Sequence, residues 1–207
     1  FASCPTPNPE TDSAFDENYK LAAQCRPDII LATDPDSDRI AAAIPVGDGF
    51  RKLSGNEMGC LLLDYILRNL RKNGTLPEKP VAVKSIVSTP LADRIAAALG
   101  CEMRTVLTGF KYIGGVILEL EEQGCPERFV LGFEESCGYL KGDYARDKDA
   151  VVTAMLIAEM AASYKLEGRT LGDVMDGLYD EYGHFATGLQ NAVSYTHLRA
   201  HETLANL

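Results

Sequence analysis

The sequence predicts an α/β fold in which a mixed or largely parallel sheet is flanked by helices. Two observations carry this expectation. Short apolar runs of strand length alternate with longer amphipathic stretches along nearly the whole chain. Residues with chemical character then collect just after the apolar runs, where open α/β sheets place their ligands.

Taken in order, Pro5 to Glu10 (PTPNPE) reads as an extended or turning connection, and Ala14 to Gln24 has helical spacing. Asp28 to Thr33 is a short apolar run and Ile40 to Val46 a second, closed by a Gly47-Asp48-Gly49 turn. Ser54 and Glu57 have capping-box spacing and open a long amphipathic helix to about Lys72, stopped by Asn73-Gly74. Ala82 to Val87 reads as a strand. Thr89-Pro90 supplies the N-cap and first residue of a helix to Leu99, with Gly100 as its stop. Met103 to Leu107 is a strand, Ile113 to Gln123 a helix, Phe129 to Phe133 a strand and Ala150 to Tyr164 a helix. From about Val193 the text no longer fits the alternation and resembles a translated adapter remnant or a frame-shifted end. His197 and His201 stand four apart there, but HETLA lacks the second histidine of a zinc-binding HExxH motif.

With 207 residues, 46% of them hydrophobic, the chain can bury a sizeable core. A formal charge of -10 argues against a nucleic-acid-binding surface, which would show basic clustering. No apolar run is long enough to span a bilayer. The six cysteines contain no CxxC pair, which fits free thiols in a reducing compartment better than a zinc ribbon or a disulfide framework. A cytoplasmic enzyme is the working class. The chain opens on Phe1, so its true start is expected to lie upstream.

Four stretches could carry chemistry. Asp34-Pro35-Asp36-Ser37-Asp38-Arg39 crowds three carboxylates that repel one another unless a cation sits among them, and hard divalent ions prefer such oxygens. An EF-hand is excluded, because its sixth position would be Arg39 and its twelfth Pro45. A solvated acidic turn is the plainer alternative. Thr108 to Gly115 (TGFKYIGG) is a glycine-rich turn able to offer backbone N–H groups and Lys111 to an anion, although it is not a Walker A loop. Gly132 to Tyr139 (GFEESCGY) places carboxylates and a hydroxyl after a strand, a set suited to sugar hydroxyls, or else to an ordinary acidic loop. Arg146-Asp147-Lys148-Asp149 puts cations at a helix start, where the dipole disfavours them.

In this order and approximate spacing, PNPE, DPDSDR, TGFKYIGG, GFEESCGYL and RDKDA resemble the α-D-phosphohexomutase family, in its branch of phosphoglucomutases and phosphomannomutases. The resemblance runs from about Pro5 to Asn191. It implies a four-domain enzyme that moves a phosphoryl group between the 1- and 6-positions of a hexose through a phosphoserine and a bisphosphate intermediate. By this resemblance Asp34, Asp36 and Asp38 match the Mg²⁺ ligands, and Arg39 lies near the phosphoserine. Glu134 and Ser136 match the sugar-specificity loop, with Arg146 assigned beside them to substrate binding. Lys148 matches a lysine that acts as general acid/base, its pKa expected to be lowered by Arg146, burial and the metal. Lys111 matches the lysine of the GFK turn near the active site. Cys137 stands where many relatives carry Gly or another small residue.

The family's T-A-S-H-N-P loop, which carries the phosphoserine, and its R-x-S-G-T-E-P-type phosphate clamp have no counterpart here. The resemblance therefore implies residues 1–45 as the end of domain two with the metal loop, and 46–185 as domain three with the sugar loop. Residues 186–207 are the lead into domain four and the anomalous tail. Such a fragment is expected to be inactive alone toward glucose 1-phosphate or mannose 1-phosphate. Two other classes compete with this reading. A standalone Mg²⁺- and sugar-phosphate-binding module would start and stop near these termini. A haloacid-dehalogenase-like phosphatase needs a D-x-D-x-T-like pattern, and Arg39 follows Asp38 with no such threonine.

Overall fold

A computed structural model describes residues 3–186. A 3-10 turn over Asp12–Phe15 leads into helix α1 (Asp16–Cys25). Strands β1 (Ile30–Thr33), β2 (Ile40–Val46) and β3 (Gly49–Lys52) follow as a small antiparallel sheet in the order β1-β2-β3. Their links are far too short for a parallel crossover, so these strands do not join a parallel sheet. Ala41, Ala42 and Ala43 keep β2 thin enough for helices to approach it closely.

Helix α2 (Gly55–Lys72) begins on the capping box expected from Ser54 and Glu57. The Ser54 hydroxyl accepts from Glu57 N at 3.2 Å and the Glu57 carboxylate accepts from Ser54 N at 2.8 Å. Ser54→Ala removes one half of this exchange and should cost about 1 kcal/mol. A shift of the urea midpoint without a change in slope is the expected result.

A second sheet contains β4 (Val81–Ser85), β5 (Glu102–Val106), β6 (Phe129–Glu134) and β7 (Gly138–Leu140), in the order β5-β4-β6-β7. The first three strands are parallel, and β7 returns antiparallel beside β6. Helix α3 (Leu91–Ala98) joins β4 to β5, and helix α4 (Phe110–Glu122) joins β5 to β6. Because β4 lies between those partners and such crossovers are right-handed, α3 and α4 fall on opposite faces. The alternation along β4 agrees, with Val81 and Val83 packing beside Ile113 and Ile117 of α4 while Ala82 joins the core under α2 and α3. Helices α5 (Ala150–Leu166) and α6 (Leu171–Tyr182) complete that larger core and pack on β2, tying the two sheets together.

Several boundaries differ from the sequence reading, most by one or two residues, and three of them shape the turns. The strand expected to reach Val87 ends at Ser85, because Ser85 and Ser88 turn inward on polar partners and leave Ile86 and Val87 exposed. Helix α3 starts at Leu91, one residue later than expected, with Pro90 rather than Thr89 at its N-cap position; the Thr89 hydroxyl still accepts from Leu91 N at 3.2 Å. Helix α4 starts at Phe110, within the TGFK turn. The six cysteines are free thiols. Among the described residues no helix is long and apolar enough to cross a membrane. The tail, His197 and His201 fall outside the described residues.

Candidate functional site

The acidic loop leaves β1 at Thr33 and returns into β2 at Ile40. Asp34 holds it closed. Its side chain is almost fully buried; Oδ1 accepts from Asp38 N at 3.1 Å and Arg39 N at 3.0 Å, and Oδ2 accepts from Arg39 Nε at 2.8 Å. Burial alone would raise the Asp34 pKa, but the bonds from Arg39 and Asp38 outweigh it and hold this carboxyl below its usual range. Asp38 moves the other way, raised by burial and the adjacent Asp34 charge despite the opposing pull of Lys148. Ser37 sits at φ +56°, a left-handed conformation that costs a side-chain-bearing residue about 1 kcal/mol. Ligand atoms of Asp34, Asp36 and Asp38 all lie within 4.8 Å of one another. Asp36 is exposed and takes no part in holding the loop, so its oxygens are open to a ligand. Three convergent carboxylates are the donor set that a small hard divalent cation accepts.

Residues 134–138 run beside this loop. Ile40 N donates to Cys137 O at 3.0 Å, and Arg39 and Gly138 form a lone antiparallel bridge. Ala150 N, in the first turn of α5, donates to Ser37 O at 3.0 Å. Glu134, the last residue of β6, is buried and accepts from Gly109 N at 2.7 Å, which ties it to the glycine-rich turn ahead of α4. Cys137 adopts φ +66°, and burial pushes its thiol up to about 11, so it is packing and not a nucleophile. Ser136 is half-buried in the same loop.

Lys148 reaches this junction from just before α5. Its Nζ lies 3.0 Å from Asp38 Oδ2 and 2.9 Å from Asp147 Oδ1, and 5.5 Å from the centroid of the Phe110 ring. Burial would lower its pKa, but those two carboxylates raise it. The resemblance implies a value lowered by burial, Arg146 and a bound metal, and it is the part assigned to Arg146 that fails. The structure corrects this: the Arg146 guanidinium pairs with Glu121 of α4 and donates to Asp143 O at 2.7 Å and Ala145 O at 3.1 Å.

The fold thus gathers Asp34, Asp36, Asp38, Arg39 and Lys148 at one point, with the loop carrying Glu134 and Ser136 alongside. Lys111 is exposed on the first turn of α4, its Nζ 5.0 Å from the centroid of the Tyr112 ring. Arg146 faces α4 rather than the aspartates. Sequence reasoning missed Glu10, Asp147 and Glu135. Glu10 accepts from Arg39 Nη1 at 3.0 Å, and Lys52 donates to its carbonyl, so the PNPE segment is pinned over the acidic loop. Only its membership of that motif pointed to it.

Known proteins share this arrangement of domains. Residues 54–182 match the family model described as phosphoglucomutase/phosphomannomutase, alpha/beta/alpha domain III, and residues 1–47 match the corresponding domain II. A phosphomannomutase of Mycoplasmoides pirum is 39% identical over 184 residues, covering 88% of this chain and 32% of its own length. A structure from Thermus thermophilus assigned as a phosphomannomutase aligns with a TM-score of 0.67 at 25% identity, over 86% of this chain and 36% of that one. An Aspergillus fumigatus N-acetylphosphoglucosamine mutase, solved with GlcNAc-6P and magnesium, shares the fold at a TM-score of 0.52 and 18% identity, over 79% of this chain and 36% of that one. The chain spans about a third of the length of the relatives it matches.

Proposed function

Because this chain belongs to the phosphoglucomutase/phosphomannomutase family, we propose that it forms the metal-holding and sugar-recognising part of an enzyme interconverting hexose 1-phosphate and hexose 6-phosphate. The observation that carries this reading is the convergence of the Asp34, Asp36 and Asp38 ligand atoms within 4.8 Å, beside Lys148 and the loop of Glu134 and Ser136. Residues 1–45 and 46–185 are then the end of one domain and the whole of the next. The phosphoserine and the phosphate clamp come from parts of the enzyme beyond this chain, which is inactive alone.

In this reading Asp34, Asp36 and Asp38 hold Mg²⁺, whose charge offsets that of a phosphoryl group in flight. The donor set fits: Asp34 Oδ2 accepts only one hydrogen bond and retains an acceptor direction, and Asp36 is open. Lys148, held protonated by Asp38 and Asp147, carries the proton that passes between sugar hydroxyl and serine as the phosphoryl group moves the other way. Glu134 and Ser136 accept from and donate to sugar hydroxyls. Arg39 faces the phosphoserine, while Lys111 adds positive charge at the edge of the site. Arg146 binds substrate only after leaving Glu121. An acidic surface and the free thiols suit a cytoplasmic sugar-phosphate enzyme with no nucleic-acid or membrane partner.

Magnesium binding tests the reading without needing turnover. Titration of the chain should give saturable binding, and Asp36→Asn should weaken it roughly tenfold or more while leaving the fold intact. Unchanged affinity in that variant would remove the metal from these aspartates.

A further inference from the structure

Glu134 and Glu135 are neighbours in sequence, yet their side chains leave the backbone toward different partners. Glu134 turns to Gly109, whereas Glu135 turns to the end of β4, where a polar cluster is buried. Ser85, Ser88 and Lys84 are 0%, 3% and 4% exposed, an unusual content for the end of a core strand. Ser85 Oγ donates to Glu135 Oε2 at 2.6 Å. A hydroxyl has one proton, so with Ser85 donating to Glu135 the Ser88 proton is directed at Ser85 Oγ, 2.8 Å away, and at Glu135 Oε2, 3.4 Å away. Lys84 braces the cluster from below, its Nζ 3.2 Å from Ser88 O and 3.1 Å from Asp93 Oδ2.

This cluster lies apart from the aspartates, and none of its members reaches Lys148. It acts instead on the backbone of residues 134–138. Gly55, the first residue of α2, presses so closely on that backbone that an added Cβ would come within 2.0 Å of Glu135 O. Tyr139, just past the loop, donates from its phenol to Gly55 O at 3.2 Å. The loop is therefore fixed by the Glu135 carboxylate and the Cys137 carbonyl, with Glu134 Oε1 held by Gly109 N; Glu134 Oε2 and the half-buried Ser136 hydroxyl have no hydrogen-bond partner among the described residues.

We propose that Glu135 is a positioning residue: through the buried Ser85–Ser88 pair it locks the backbone that presents Glu134 and Ser136 to the hexose ring, without itself touching substrate. The claim of a substrate role rests on the mutase reading above; the claim of an anchor does not.

The test uses the chain as it stands. Amide hydrogen exchange of residues 134–138 should quicken roughly tenfold in Glu135→Ala and in Ser85→Ala, with little further change when the two are combined. Glu135→Gln keeps an acceptor oxygen for Ser85 and should exchange like the wild type. Exchange in α6 should not change in any variant. Unaltered loop exchange in Glu135→Ala, or equal acceleration throughout the chain, overturns the anchor. Glucose 1-phosphate is then titrated in the presence of Mg²⁺, following the amide resonances of the loop. Glu135→Ala should weaken the apparent affinity roughly tenfold and Glu135→Gln should restore it. A loosened loop with unchanged sugar affinity overturns the positioning role. A wild-type chain that ignores the sugar overturns the claim that this loop recognises hexose in the chain as it stands, while the exchange data still decide the anchor.

Discussion

Gly55→Ala should be among the most damaging small substitutions in this chain, costing about 3 kcal/mol or more. The added methyl would meet Glu135 O at 2.0 Å, Glu135 C at 2.7 Å and Cys137 N at 2.9 Å. All three are backbone atoms, so no side-chain rotation relieves the clash; either α2 or the loop must move. Either movement strains the Tyr139–Gly55 hydrogen bond and the Ser85–Glu135 anchor together. Gly115→Ala provides the control. Its Cβ meets nothing within 4 Å and it lies exposed inside α4, so alanine should stabilise by about 1 kcal/mol. Chemical denaturation of both variants checks the pair. A Gly55→Ala protein as stable as the wild type would mean that the loop does not sit against α2 as described.

What could be read in the sequence follows from how local each signal is. The Ser54–Glu57 box names the start of α2 because both of its hydrogen bonds span three residues. The acidic loop was legible for a similar reason, since three carboxylates at alternate positions repel one another wherever the chain goes. Helix α6 was missed although Thr170 and Asp173 form a capping box with Leu171, Val174, Met175 and Leu178 on one face; reading that spacing would have found it. Strand β7 is three residues long and exists only because β6 lies beside it. Glu135 and Arg146 show the deeper limit. Nothing near Glu135 in sequence reveals that Ser85, fifty residues away, will donate to it. Adjacency to Lys148 likewise made Arg146 look like its electrostatic neighbour, whereas the guanidinium faces Glu121 on another helix.

Gly138→Ala should tighten Mg²⁺ binding while damaging catalysis, a combination that a merely destabilised site would not give. The Lys148 stem crosses directly over Gly138, and an added Cβ would lie 2.2 Å from Lys148 Cδ and 2.9 Å from Cγ. The stem must lift, which draws its ammonium away from Asp38, now 3.0 Å distant. A divalent cation among Asp34, Asp36 and Asp38 then loses a repelling charge a few ångströms away. In a solvated cleft this should raise affinity roughly three- to tenfold. Lys148→Ala should produce the same gain by deleting the charge outright, and the double substitution should add little to either. On the role proposed above for Lys148 as proton carrier, both variants in the intact enzyme should lose most of the interconversion of hexose 1- and 6-phosphates. The direction is opposite to that of Asp36→Asn, which surrenders a ligand and must weaken binding. Should Gly138→Ala weaken Mg²⁺ binding while Lys148→Ala strengthens it, the glycine would be holding the acidic loop through the Arg39–Gly138 bridge, and Lys148 would not depend on it for its place.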